Sequence, residues 1–262
     1  NVFVGGEAGF KNTTGVVNTF VGQCAGQHNT TASENVSIGF EAGRKTTVGG
    51  SNTVMGAYAG HENLTGYNNA FFGIKAGYSN TVSNNSFFGG YAGYTNTTGE
   101  SNTFMGYNSG YSNTTASNNT MLGYEAGKAN TTGASNTFLG SYAGFANTTG
   151  YNNSFFGKSA GNNNTTGYQN VFLGQYAGGS NTTGSNNIYI GDTAGGSSTT
   201  AGGNIFIGRA SGEDNTTSAG NTFVGVYTGL DNTAANNTLI GSSAGKYNTT
   251  GTENTFVGAS AG

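Results

Sequence analysis

Apolar and polar positions along this chain follow a period that fits neither an amphipathic helix nor a simple alternating strand. Two bulky neighbours, such as Phe20 and Val21, are followed by Gly, a small-residue stretch and an Asn-Thr-Thr turn, and then the block returns. Asn recurs at 1, 18, 35, 52, 69, 85, 102, 119, 136, 153, 170, 187, 204, 221, 237 and 254. The spacing is 17 residues, except for two units of 16 that begin at Asn69 and Asn221. The chain therefore holds 15 complete units and a nine-residue remnant, with consensus N-T-F-V-G-x-x-A-G-x-x-N-T-T-G-x-x. Positions are numbered 1 to 17 within this unit.

Several positions hardly vary. Position 1 is always Asn, and positions 5 and 9 are always Gly. Position 4 is always Val, Ile, Leu, Met or Phe, and position 8 is Ala except at Ser109, Ser211 and Thr228. A unit this short cannot bury a core alone, so it predicts one coil of an all-β solenoid in which identical positions stack. The reading is a β-solenoid of about 15 coils with a 17-residue repeat, residues 1–262 forming one elongated domain and a piece of a longer fibrous protein. With rungs ~4.8 Å apart, 16 of them would span on the order of 75 Å. The recurrent Gly read as corners. The Asn at position 1 predicts a stacked amide ladder, and the Asn at position 12 a second ladder or a left-handed turn. Both 16-residue units are expected to lose a residue between position 15 and the next Asn, where a surface turn tolerates deletion.

Neighbouring strand residues point to opposite faces, so positions 3 and 4 cannot both be inside a simple coil. The expectation is that position 4 fills the interior and position 3 points outward. An outward stripe of Phe3, Phe20, Phe71, Phe87, Phe104, Phe138, Phe155, Phe172, Phe206, Phe223 and Phe256 exceeds what a soluble monomer exposes. A strand apolar on both faces is covered on both, which predicts self-association through this stripe. The alternative is a flattened single coil that turns both residues inward.

Charge supports an outside and an inside. Of 19 charged residues, 16 fall at positions 6, 7, 10 and 11 and none at positions 2 to 5, 8 or 9. Those four positions are therefore expected to be solvent-facing. Gly at 49 of 262 residues argues against a helical protein, since Gly is a poor helix former. A net charge of -3 with no basic patch argues against nucleic acid as a partner. No apolar run reaches the ~20 residues of a membrane span.

The "NTFVG..AG" units resemble the head repeats of trimeric autotransporter adhesins, whose motif has the form N-S-V-A-I-G followed by small residues, and related repeats of bacterial and phage surface fibres. The resemblance covers the whole chain. It implies a left-handed β-roll, three chains around a common axis, and adhesion to host or surface material. By that resemblance Asn1, Val4 and Gly5, with their copies, are the structural signature.

Candidate chemistry is sparse. His28 and His61 sit at wet positions with no carboxylate expected beside them, and Cys24 reads as a casual substitution, so no catalytic residue, metal site or cofactor is assigned and no enzyme is expected. No G-x-x-x-x-G-K-[ST] loop occurs. Asp214 and Asp231 share position 11 beside Glu213, where screening or a cation would relieve repulsion. Asn12, Asn29, Asn96, Asn113, Asn130, Asn147, Asn164, Asn181, Asn215 and Asn248 lie in N-x-[ST] sequons and are candidate glycosylation sites in a glycosylating host. The Asn-Thr-Thr rows also raise an ice-binding rod, with Asn12 and Thr14 as parallel ranks. Tyr78, Tyr94 and Tyr111 at position 10, with Tyr58, Tyr91, Tyr142, Tyr176 and Tyr227 at position 7, raise a carbohydrate-binding rod. The leading expectation is a structural fibre or adhesin segment, extracellular or at the cell surface. Its expected partners are copies of itself, as a homotrimer or an end-to-end filament, and surface or extracellular glycans.

Overall fold

The computed structural model describes residues 1–262 and is all-β, with sixteen three-residue strands, one per repeat, and no helix. The chain divides into two compact units, Asn1–Thr132 and Gly133–Gly262. The first carries strands β1 (Val2–Val4) to β8 (Thr120–Leu122), the second β9 (Thr137–Leu139) to β16 (Thr255–Val257). Within each unit consecutive strands pair in parallel and in repeat register: Phe3 faces Phe20 in the first, Phe155 faces Phe172 in the second. This is the predicted β-solenoid with its 17-residue coil.

Only positions 2 to 4 are extended. The rest of each coil is turns, yet its backbone is still tied to the neighbouring coils. In the first unit Gly9, Lys11 and Thr13 donate to the Ala25, Gln27 and Thr30 carbonyls ahead of them, while Gly22 and Cys24 donate back to Val4 and Gly6. The two Gly positions are corners for different reasons. Gly22 has φ 131°, and a Cβ there would lie 2.5 Å from the Gly39 carbonyl oxygen of the next coil. Gly144 has φ 58°, and a Cβ there would lie 2.6 Å from the Phe138 ring of its own coil. Close backbone stacking excludes a side chain at the first, and the core ring excludes one at the second.

The core reverses the expectation for the strand. Phe20, Phe71, Phe87, Phe104, Phe138, Phe155, Phe172, Phe206 and Phe223 are buried, at 1% exposure or less. Phe3, at 38%, and the half-buried Phe256 differ only in lying on the first and last described coils. The Phe stripe is therefore the interior of the solenoid and not its self-association surface. Strand periodicity gives the reason. Positions 1 and 3 share a face, and the Asn at position 1 is buried, as at Asn18 and Asn35, so the Phe two residues on lies inside with it. Position 4 is the outward residue.

Inside each unit the rings stack at the rung spacing. Phe71, Phe87 and Phe104 lie 5.0 and 4.8 Å apart in the first unit. Phe138, Phe155, Phe172, Tyr189, Phe206 and Phe223 form six consecutive layers at 4.8 to 5.0 Å in the second. Each stacked pair adds about 0.5–1.5 kcal/mol beyond burial. Ala at position 8 fills the remaining space. Where it becomes Ser109, Ser211 or Thr228, the hydroxyl donates to a carbonyl of the next coil, Met121, Phe223 or Gly241 respectively.

Both Asn positions are buried. The position-1 Asn accepts from the backbone N–H of its copy ahead, as Asn18 Oδ1 does from Asn35, and its Nδ2 donates to the position-15 carbonyl of its own coil, here Ala32. The amide-to-amide ladder belongs to position 12. Asn96 Nδ2 donates to Asn80 Oδ1 and Asn113 Nδ2 to Asn96 Oδ1, both at 2.7 Å, and Asn164 and Asn181 repeat the pattern in the second unit.

The 16-residue coils shorten elsewhere than expected. Val82 O accepts from both Asn69 and Asn80, the role played by the position-15 carbonyl in full coils. Ala234 is buried like other position-15 residues. The missing residue is thus in the Asn-Thr-Thr turn, whose tip carries no core contact.

Candidate self-association surface

With Phe inside, the outward face of the strands carries positions 2 and 4. In the first unit position 4 is Val4, Val21, Ile38, Met55, Phe72, Phe88, Met105 and Leu122. In the second it is Leu139, Phe156, Leu173, Ile190, Ile207, Val224, Ile240 and Val257. Met55, Met105, Leu122, Leu173, Ile207 and Ile240 are exposed, and the Phe72 and Phe88 rings stack at 4.9 Å on this outer side. Position 2 adds Thr, Val, Ile, Ala or Ser. No charge interrupts this face, whose strands are in register.

The sequon Asn residues are not glycan sites in the folded coil. Asn29, Asn96, Asn113, Asn130, Asn147, Asn164, Asn181 and Asn215 are fully buried in the position-12 ladder. Asn12 and Asn248 are half-buried, and each Nδ2 is held by the Gly three residues on. A glycan there would replace the amide hydrogens that bind the turn.

The same burial removes the Asn rank from any ice-binding array. Position-13 hydroxyls are also committed: Thr13 donates to the Thr30 carbonyl, Thr97 to Thr114, and Thr148 to Thr165. The exposed row is position 14, which includes Thr149, Thr166, Thr183, Thr200 and Thr217 on consecutive coils.

The face at positions 7, 10 and 11 is less solvated than its charges implied. His61 is buried, with Nε2 3.1 Å from Glu41 Oε2 and Nδ1 2.8 Å from Glu62 Oε1. Stacking brings position 7 of one coil beside position 10 of the next, a proximity that linear spacing hides. Lys45 and Arg44 close the network on Glu62 and Glu41. Burial works to raise the Glu62 carboxyl, but the hydrogen bonds from Lys45 and His61 outweigh it and hold it below the usual value. His28 is pushed down by burial and then by the surrounding Lys11, Arg44 and Lys45.

Cys24 is also buried. Burial and then the Glu7 carboxylate raise its thiol, which makes it a poor nucleophile. Burial followed by Asp214 raises Glu213, and Ser197 Oγ donates to Asp214. No group of three or more His, Cys, Asp or Glu is placed to hold a metal ion. No helix is long and apolar enough to cross a membrane.

Sequence reasoning missed one backbone feature. Position 7 is left-handed in every coil, at φ 52–60°, although it is Glu, Cys, Tyr, Lys, Asn, Ser, Thr or Ala and never Gly. Position 17 is also left-handed, and there the frequent Asn and Gly were a readable signal.

No protein-family model, curated protein or solved structure matches this chain.

Proposed function

We propose that the chain is a structural segment of an extracellular or cell-surface fibre of adhesin type, in which copies pack laterally through the outward strand face. The carrying observation is the uninterrupted apolar row at position 4. A row of this length exceeds the scattered apolar residues normal on a soluble surface. Eight rungs at ~4.8 Å and a width of ~10 Å give each unit roughly 400 Å² of such surface, about half of the ~800 Å² per partner of a standard interface. The role is structural rather than catalytic. Three chains around an axis, as the resemblance implies, would turn this face toward the centre.

Light scattering coupled to size exclusion tests the proposal. The native chain is expected to be oligomeric at micromolar concentration. A Leu173→Lys, Ile190→Lys, Ile207→Lys variant is expected to be monomeric with an unchanged β spectrum, because these side chains point away from the core. A monomeric native chain, or a variant that assembles equally well, would sink the proposal.

A further inference from the structure

The first unit carries a second surface, on the side of positions 6, 7 and 10. Tyr91, Tyr107, Asn108, Tyr111 and Lys128 line an open cleft of about 360 Å³. This falls within the size range of small-ligand sites, which combine aromatic walls with a few placed polar groups. Tyr107 is exposed at 47%, and its ring meets Tyr91 edge-on at 5.9 Å. Tyr91 and Tyr111 are tilted by 42° at 6.4 Å, so the three rings make a concave wall rather than a single closed stack.

The polar groups of the cleft hold one another in place. Lys128 Nζ lies 2.8 Å from Glu125 Oε1, and Asn108 Nδ2 donates to the same oxygen at 3.1 Å. The cleft thus offers an amide and a neutralised ion pair beside aromatic faces. The rings also continue along the unit, Tyr111 over Tyr94 at 5.2 Å and Tyr94 over Tyr78 at 5.3 Å. A ligand that repeats along the coil axis would meet a ring edge at each of these three rungs, because the faces stack on one another.

We propose that this cleft binds a neutral polysaccharide chain, a pyranose packing its apolar C–H face against the outer rims of Tyr107 and Tyr111, whose rings stack on Tyr124 and Tyr94, while its hydroxyls reach Asn108 and the Glu125–Lys128 pair. Nucleic-acid bases also stack on aromatic rings, but their phosphates require a basic track. Here the cation of the cleft is paired and the chain is net negative, at -3. A charged saccharide would likewise find no unpaired partner in the ion pair. The inference is independent of lateral assembly, because it uses a different face from position 4.

Affinity electrophoresis of the full chain in native gels tests it, with hydroxyethylcellulose, galactomannan or alginate cast into the gel. Retardation is expected in at least one of the two neutral polymers and not in alginate. Tyr107→Ala with Tyr111→Ala should weaken retardation about tenfold, equivalent to about 1.4 kcal/mol of binding. A Tyr151→Ala, Tyr168→Ala control removes the 5.0 Å stacked pair on the second unit and should leave retardation unchanged. Circular dichroism and melting verify that all variants keep the coil. Three results would overturn the proposal: no retardation in either neutral polymer, retardation in alginate alone, or equal retardation of the double cleft variant and the native chain.

Discussion

At the scale of single residues, the two breaks in the position-12 ladder are informative. Thr46 and Ser198 replace Asn there, and both lie in coils whose position 3 is also not Phe, Ser37 and Tyr189. Tyr189 reaches the space that an Asn would fill, its hydroxyl 3.0 Å from Ser198 Oγ. The neighbouring amides are left incomplete: Oδ1 of Asn29 and Asn181 and Nδ2 of Asn215 have no partner. Thr46→Asn should therefore stabilise by about 0.5–1.5 kcal/mol, since Ser37 leaves room and Asn29 gains a donor. Ser198→Asn should destabilise alone, by overpacking, yet become tolerated with Tyr189→Phe. Urea titration measures both. Burial pushes the Tyr189 phenol up to about 12, against weaker opposing hydrogen bonds from Ser198 and Asn204. Its folded pKa is raised, so its contribution is complete below the unfolded value near 10 and is lost as pH rises toward 12. Tyr189→Phe should flatten that alkaline loss.

At the scale of the coil, the Gly corner and the ring beneath it act as one element. Gly144→Ala combines a left-handed backbone with a Cβ 2.6 Å from Phe138, and should cost about 2–4 kcal/mol, read as a lower urea midpoint. The coil itself was legible in the sequence, because strict spacing of Asn, Gly and Ala requires stacked copies. The facing of the strand was also encoded, in the Asn at position 1 rather than in the bulky pair at positions 3 and 4. Asn at position 1 lies two residues before the Phe, and period-2 geometry places both inside. Bulk pointed the other way, since a charge-free Val beside Phe looks equally suited to a core. The pairing of His61 with Glu41 could not be read without the coil-to-coil offset, which places residues 20 apart in contact. The turn deletion was obscured for a similar reason: only the hydrogen bonds of Val82 show which residue is missing.

At the scale of the molecule, ladders of neutral groups dominate over charge. Ion pairs are confined to Glu41, Arg44, Lys45, His61, Glu62, Glu125 and Lys128. The melting temperature should consequently move by less than about 2 °C between low and 0.5 M salt. Calorimetry at both salt concentrations checks this. Acid should act through Glu62 and Glu125, whose carboxyls are held below their ordinary values. Burial opposes that lowering in both, and hydrogen bonds from Lys45 and His61, or from Lys128 and Asn108, overcome it. Their stabilisation is complete above the unfolded value of 4.5 and lost as pH falls through the depressed folded values. A pH series of melts should show a small decline as pH falls through 6.5, where the depressed His28 begins to cost stability, and a further drop in strong acid from Glu62 and Glu125.

The one-strand coil has a consequence for a chain pulled from its ends. Each coil is fastened to the next by the same short set of axial hydrogen bonds, so tension peels coils in turn instead of shearing a sheet. Within each unit a force–extension trace should show evenly spaced rips. Each would release one 17-residue loop, about 55 Å of slack once the lost rung spacing is subtracted. The two 16-residue coils would register as slightly shorter intervals, one in each unit.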